Sequence, residues 1–180
     1  MSQIHPLSII DSSVSIGKDV SIGPWTQIGP GCIIGDGSNI ASHVNIKKNT
    51  HLGQGNVIHS FCSIGGDPQV SQYETESVSS VEIGDRNVFH EYVTVNRGCT
   101  VKGTGITTIG SDNLFQASAH VAHDCIVGNH VILGNGSAIA GHVNVNDWAI
   151  LGAWVGVHQF CEVGAHSFLT HSAMVTQDIL

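Results

Sequence analysis

Aliphatic residues recur at every sixth position along most of this chain. One run extends without interruption from Ile10 to Ile64, a short run contains Ile83, Phe89 and Val95, and a third extends from Ile109 to Val175. Glycine directly follows the aliphatic residue in twelve of these hexads. A period of six matches neither the 3.6-residue repeat of an α-helix nor simple strand alternation, so it predicts short parallel strands joined by tight corners.

Three such hexads, each roughly 20 Å long if extended, make one turn of a triangular coil. The aliphatic side chain then points inward, and stacked coils hydrogen-bond to their neighbours along the whole prism. The sequence therefore predicts an all-β fold, a parallel β-helix forming a single domain over residues 1–180. Hexapeptide repeats are typical of left-handed parallel β-helices, and this resemblance gives the handedness, because parallel crossovers are generally right-handed.

Two interruptions of the repeat, near residues 66–80 and 98–107, predict loops that leave the prism. Excursions from a rigid scaffold are common places for binding residues. We therefore expect both loops to lie near a functional site.

Composition narrows the classes of partner. Charged residues make up 11% of the chain and the formal net charge is −8, against roughly 25% charged residues in an ordinary domain. The few cations are scattered, which argues against nucleic acid as a partner; they are Lys18, Lys47, Lys48, Arg86, Arg97 and Lys102. No segment is long and apolar enough to predict a membrane span. The first residues lack the pattern of a secretory signal, so a cytoplasmic location is expected.

Histidine is the one polar residue in excess, with twelve in the chain. Positions eighteen apart lie one coil above each other, so His120, His123, His142 and His158 are predicted to line one edge of the prism, on coils about 4.8 Å apart. Most of the others are expected to be solvated corner residues, namely His5, His43, His51, His59 and His130.

Asp124 directly follows His123, and an imidazole beside a carboxylate is the arrangement of a general base whose tautomer is held in place. No serine or cysteine nucleophile motif accompanies the pair, so direct proton abstraction from a substrate hydroxyl or amine is the simpler mechanism. The rival hypothesis is a zinc site made by three histidines, as in the gamma-class carbonic anhydrases. The spacing of His120 and His123 does not match that family, so no metal is predicted at this edge.

Longer strings carry a family resemblance. They are SVEIGDRN (80–87), VTVNRG (93–98), IGSDNLF (109–115), AHVAHDCIVGN (119–129), IAGHVNV (139–145) and VGVHQFCEVGAH (155–166). Together they resemble the bacterial UDP-N-acetylglucosamine acyltransferases, which begin lipid A synthesis. The resemblance runs through essentially the whole chain.

This resemblance implies a homotrimer with active sites between subunits, acyl carrier protein as acyl donor, a sugar nucleotide as acceptor, and no cofactor. It implies that His123 takes the proton of the sugar 3-hydroxyl, that Asp124 orients His123, and that the Gly141 N–H holds the oxyanion. The substrate-binding residues that it implies are His120, His142, His158, Gln159, Asn96 and Arg97.

Some positions depart from the family pattern. Val70, Ser71, Gln72 and Tyr73 stand where the family has Asp-Leu-Lys-Tyr, and Asn96 stands where a histidine is common. The family's helical C-terminal domain has no counterpart in these 180 residues. Acyl transfer is therefore better supported than the identity of the acceptor. Two alternatives stay open: N-acylation of an amino-sugar nucleotide, and an inactive paralog that acts as a scaffold.

The family also has a residue, a few coils beyond the base, that limits the length of the acyl chain. Counting without gaps from VHQFC to Gln177 and Asp178 puts His171 at this position. Its imidazole is expected to block the acyl groove and to favour chains shorter than myristoyl. The alternative is that His171 is an ordinary corner residue.

Overall fold

The computed structural model describes residues 2–71, 78–101 and 103–180. Within these ranges all the regular elements are short β-strands, numbered β1 to β26 along the chain and arranged in three sheets. The first sheet contains β1 (Gln3–Ile4), β4 (Ser21–Ile22), β7 (Asn39–Ile40), β10 (Val57–Ile58), β13 (Val88–Phe89), β16 (Leu114–Phe115), β19 (Ile132–Leu133), β22 (Ile150–Leu151) and β25 (Phe168–Leu169). The second contains β2 (Ile9–Ile10), β5 (Gln27–Ile28), β8 (Asn45–Ile46), β11 (Ser63–Gly66), β14 (Thr94–Asn96), β17 (His120–Val121), β20 (Ala138–Ile139), β23 (Gly156–Val157) and β26 (Met174–Val175). The third contains β3 (Ser15–Ile16), β6 (Ile33–Ile34), β9 (Thr50–Leu52), β12 (Ser80–Ile83), β15 (Ile106–Ile109), β18 (Ile126–Val127), β21 (Asn144–Val145) and β24 (Glu162–Val163).

Each strand pairs in parallel with the strand three further along the chain, as a coil of three strands requires. Regular coils pair residues eighteen apart, as Val121 does with Ile139. The spacing grows to 31 where the first excursion intervenes, because Val57 pairs with Val88. The predicted fold class, a left-handed parallel β-helix of hexapeptide repeats, is confirmed.

The corners between strands have a characteristic backbone conformation. Among the described residues, seventeen that are not glycine have positive φ, including Asp124 and His142. A left-handed conformation costs such a residue about 1–2 kcal/mol, and the inter-coil hydrogen bonds on either side hold it in place. The corners therefore aim side chains outward at fixed positions on every coil.

The core is the column of aliphatic residues that the hexad pattern predicts. Residues such as Ile46, Ile64, Val121 and Leu151 are fully buried. All five cysteines are free and buried, and four of them pack in the core, namely Cys32, Cys62, Cys125 and Cys161. Coils approach so closely that a Cβ on Gly35 would lie 2.4 Å from the carbonyl of Gly53. The glycines after the aliphatic position serve this close stacking.

The two excursions interrupt the prism near the predicted positions. Strand β11 ends at Gly66 and β12 begins at Ser80, while β14 ends at Asn96 and β15 begins at Ile106. Strand β15 thus begins at Ile106, inside the loop predicted over 98–107. Gln72, Tyr73 and Lys102 lie outside the described residues. Over the ranges that the structure describes, no helix is long and apolar enough to cross a membrane.

Candidate active site

The candidate active site lies at the corner between the second and third sheets. His120 is in β17, and His123 and Asp124 form the corner that follows it. Because His120 pairs with Ala138, the next coil brings Gly141 beside His123. The register of the β-helix therefore assembles this site from residues on successive coils.

His123 and Asp124 form a hydrogen-bonded pair. His123 Nδ1 lies 2.8 Å from Asp124 Oδ2. The imidazole is 15% exposed and the carboxylate is fully buried. With Nδ1–H donating to the carboxylate, Nε2 keeps its lone pair for a substrate proton.

The second excursion closes over the carboxylate of Asp124. The backbone N–H of Cys99 donates to Oδ2 over 2.8 Å, the N–H of Gly105 donates to Oδ1 over 3.0 Å, and the Thr104 hydroxyl donates to Oδ1 over 3.2 Å. The Asp124 N–H donates in turn to Thr107 Oγ1. Both carboxylate oxygens are therefore occupied, and the aspartate is held from the loop as well as from the corner.

These contacts set the charge of Asp124. Burial by itself would raise the pKa of its carboxyl group, but the hydrogen bonds from His123, Cys99, Gly105 and Thr104 outweigh burial and hold the pKa below its ordinary value. Asp124 is thus ionised at neutral pH. An ionised carboxylate fixes the tautomer of His123 and stabilises the imidazolium formed on proton transfer.

Gly141 packs directly against the imidazole of His123. A Cβ at this position would lie 2.6 Å from His123 Cε1 and 2.7 Å from Nε2, which leaves no room for any side chain. The Gly141 carbonyl accepts a hydrogen bond from the Phe160 N–H, whereas its own N–H makes no hydrogen bond to another described residue. A backbone donor is therefore available beside the reactive nitrogen of His123.

Two more histidines surround His123. The His142 ring meets the His123 ring edge-on at 5.1 Å between centroids and stacks on Phe160. His120 Nδ1 lies 2.7 Å from the Thr94 hydroxyl. Burial, together with the nearby His123, lowers the pKa of His120 below its ordinary value. His120 is therefore neutral at physiological pH.

Two cavities meet at His123. The first, of about 460 Å³, is lined by Val70, Cys99, Val101, His142 and Phe160 as well as His123. The second, of about 560 Å³, runs along the second sheet past His120, Gly141, His158 and Gln159 to Met174. Both volumes fall within the usual range for ligand sites, so there is room for a ligand on two sides of His123.

The structure thus brings together most of the residues predicted from sequence, and places three elsewhere. Asn96 and Arg97 are buried under the first excursion, where the Asn96 side chain donates to the Asp67 carbonyl and the Arg97 guanidinium pairs with the Asp67 carboxylate and the Gly65 carbonyl. Their contacts brace the base of that loop, and Arg97 lines a different cavity of about 780 Å³. His171 is an exposed corner residue whose Nδ1 accepts from the Ala153 N–H over 2.9 Å.

Sequence reasoning missed the groups that hold His120 and the His123–Asp124 pair in place. Thr94, Thr104 and Thr107 contact His120 and Asp124, and Cys99 contributes a backbone N–H. The interrupted repeat signals that a loop is present, but no motif indicates where it folds back.

Three side chains of this site are also of the types that bind metal ions. His123, Asp124 and His142 lie within 4.8 Å of one another. However, the Asp124 oxygens already accept four hydrogen bonds. A metal would have to break this network, so the donor set fits a hydrogen-bonded base better than a metal centre.

Comparisons with known proteins show which family the chain resembles. A family model described as "Bacterial transferase hexapeptide (six repeats)" matches residues 13–48 and 106–141. The chain is 51% identical over 179 residues to the acyl-[acyl-carrier-protein]–UDP-N-acetylglucosamine O-acyltransferase of Burkholderia lata, covering 99% of this chain and 68% of that protein. It is 48% identical over 177 residues to the protein of the same name from Stenotrophomonas maltophilia, covering 98% of this chain and 66% of the relative.

Solved structures give the same result. The UDP-N-acetylglucosamine acyltransferase of Francisella novicida superposes with a TM-score of 0.96 at 40% identity, covering 98% of this chain and 63% of that one. The enzyme of the same name from Campylobacter jejuni superposes with a TM-score of 0.93 at 32% identity, covering 99% and 69%. The chain spans about two thirds of the length of the relatives it matches. By sequence and by fold, the chain belongs to the acyl-[acyl-carrier-protein]–UDP-N-acetylglucosamine O-acyltransferase family.

Proposed function

We propose that this chain transfers a fatty acyl group from acyl carrier protein to the 3-hydroxyl of a UDP-N-acetylglucosamine-like sugar nucleotide, the first step of lipid A synthesis. The observation that carries the proposal is the pair formed by half-buried His123 and buried Asp124, beside Gly141. The names of the relatives, which state this donor and this acceptor, support it.

In the proposed reaction, His123 Nε2 removes the proton of the sugar hydroxyl as the hydroxyl oxygen attacks the thioester carbonyl. The Gly141 N–H donates to the oxyanion of the tetrahedral intermediate. Collapse of the intermediate breaks the carbon–sulfur bond, and the imidazolium returns its proton to the departing thiolate of the carrier's pantetheine. Asp124 stays ionised throughout and stabilises the imidazolium.

The two cavities suggest how the substrates are divided. Each opens beside His123 and on to the solvent, so sugar nucleotide and acyl carrier arm can approach the base from different sides. His120, His142, His158 and Gln159 are proposed to contact them. Asn96 and Arg97 are proposed to act through the first excursion, whose Val70 lines both cavities.

The proposal includes assembly and location. A ligand site usually buries most of its ligand, and one prism offers only open cavities, so we propose a homotrimer in which a neighbouring subunit supplies the second wall. The five free cysteines support the proposed cytoplasmic location, because disulfides are rare in reducing compartments.

The decisive experiment measures thioester consumption by the purified chain, with acyl carrier protein charged with acyl chains of several lengths and a panel of sugar-nucleotide acceptors. We expect turnover with UDP-N-acetylglucosamine. In the variant His123→Ala, turnover should be about 10²–10⁴-fold slower, because the proposed general base is removed. His166→Ala, at an exposed corner between the third and first sheets, is the matched control and should keep full turnover.

The acceptor panel also separates the alternatives. Preferred consumption with amino-sugar nucleotides would replace O-acylation by N-acylation. An absence of turnover with every acceptor, in a folded protein, would favour the inactive scaffold. Undiminished turnover in a folded His123→Ala variant would contradict the role of His123.

A further inference from the structure

A second cluster of side chains of the types that bind metal ions lies at the corner between the first and second sheets. His59 follows β10, and His90 and Glu91 follow β13. Because Ile58 pairs with Phe89, His59 and His90 occupy equivalent positions on adjacent coils. This corner is separate from that of His123, and the cluster is independent of the proposed acyl transfer.

Hydrogen bonds between coils fix the backbone positions of His59 and His90. The His59 N–H donates to the Phe89 carbonyl over 2.8 Å, and the His90 N–H donates to the Phe115 carbonyl over 2.9 Å. The rings stack almost parallel, with centroids 4.7 Å apart and planes inclined by 5°. Both rings therefore present the same edge to the same volume of space.

The Glu91 carboxylate lies across that edge. One oxygen is 3.7 Å from His59 Nδ1, and the other is 3.7 Å from His90 Nδ1. In the described part of the chain, the Glu91 carboxylate contacts these two imidazoles and pairs with no lysine or arginine.

We propose that His59, His90 and Glu91 form a zinc-binding site. Their ligand atoms lie within 4.8 Å of one another, whereas tetrahedral Zn²⁺ with bonds of about 2.0–2.1 Å holds them about 3.3 Å apart. The two rings must also turn about their Cβ–Cγ bonds, because they stack almost parallel and zinc lies in the plane of each imidazole that binds it. Two imidazoles and one carboxylate favour zinc over Ca²⁺ or Mg²⁺, which prefer oxygen ligands.

Solvent exposure makes the site accessible and leaves a place for a fourth ligand. The side chains of His59, His90 and Glu91 are 38%, 39% and 46% exposed. An ion can therefore enter, and water can complete the coordination. Bound zinc would tie together the two coils that flank the first excursion, so it should stabilise the folded prism by mass action.

The test is a zinc titration of the full chain by calorimetry, with Co²⁺ as a spectroscopic substitute for Zn²⁺. We expect one tight zinc per chain, the visible bands of four-coordinate Co²⁺, and a rise in Tm with zinc. His59→Gln and His90→Gln should each weaken zinc binding by more than the roughly 10–100-fold typical of losing a group outside the ligand set. Both variants should keep their acyltransferase turnover.

Two controls locate the ion. His51→Gln removes a similar His–Glu pair, in which Nδ1 lies 3.0 Å from Glu82 and no second imidazole takes part, and it should leave zinc binding unchanged. Zinc that binds equally to the His59→Gln and His90→Gln variants would overturn the proposal. So would zinc binding that is lost only in His123→Ala, or a wild-type Kd weaker than about 1 mM.

Discussion

His120 lies in β17 and His123 at the corner three residues later, yet their surroundings differ. His123 is paired with a buried carboxylate, whereas His120 is half-buried against a hydroxyl and beside another imidazole. The first arrangement supports a group that gains a proton during the reaction. The second keeps its group neutral.

The lowered pKa of His120 predicts a pH effect on stability. In the unfolded chain His120 takes up a proton near pH 6.5, while in the folded chain it does so only at lower pH. Its contribution to the free energy of unfolding is therefore fully present above pH 6.5 and is lost as the pH falls from there toward the folded pKa. When the pH is lowered from 7.5 to 5.5, the Tm of His120→Gln should therefore fall less than the Tm of the wild type.

Thermal unfolding over this pH range checks that prediction. The His43→Gln variant serves as its control, because His43 is an exposed corner residue. A His120→Gln profile parallel to the wild-type profile would contradict the assigned pKa shift.

His171 tests the proposed limit on acyl-chain length. Its side chain is exposed and accepts one hydrogen bond from the Ala153 N–H, so His171→Gly should not unfold the corner. If the imidazole blocks the groove, the variant should shift its preference toward longer acyl donors by several-fold per methylene, since each buried CH₂ contributes about 0.8 kcal/mol.

The measurement is kcat/KM against a series of acyl carrier thioesters. His166→Gly changes the same residue type at another corner and should leave the profile as it is. An unchanged chain-length profile in His171→Gly would make His171 an ordinary corner residue.

At the scale of elements, a buried asparagine ladder joins neighbouring coils between the third and first sheets. Asn56 Oδ1 accepts from the Asn87 N–H, Asn87 Oδ1 accepts from the Asn113 N–H, and Asn113 Oδ1 accepts from the Val131 N–H. The Asn87 side chain also donates to the Gly110 carbonyl. These bonds satisfy corner backbone groups that the strands leave unpaired.

Asn87→Ala should therefore destabilise the prism. The substitution leaves the Asn113 N–H and the Gly110 carbonyl unpaired, at about 1–3 kcal/mol for each buried group. Urea unfolding measures the loss. Asn39→Ala is the control, since Asn39 is exposed and, among the described residues, its side chain hydrogen-bonds only to the Ser21 hydroxyl. An equal loss in both variants would argue against the ladder.

The strands and the positions of the two excursions were predictable, but the paths of the excursions were not. Each strand repeats a local pattern that the next coil enforces, so the period alone places residues such as Val121 and Ile139 in register. The contacts of Thr104 and Cys99 with Asp124 depend on a loop that leaves the repeat and folds back. Its path is decided by contacts between distant residues, which no local period records.

At the scale of the whole molecule, the proposed trimer can be measured directly. Light scattering should give a mass of about three times 18.9 kDa, because the open cavities beside His123 need a second wall. A fully active monomer would contradict this assembly.

The sequence by itself determined the β-helix, its core and the edge on which His120, His123, His142 and His158 lie, because a six-residue period specifies both the inward position and the coil on which each residue falls. The tertiary structure decided which groups act on one another. It placed Asn96 and Arg97 under the first excursion, closed the second excursion over Asp124, and brought His59 against His90 across a spacing of 31 residues. The physical reason is that repeat positions are set by local geometry, whereas loop contacts and inserted spacings are set by the packing of the whole chain.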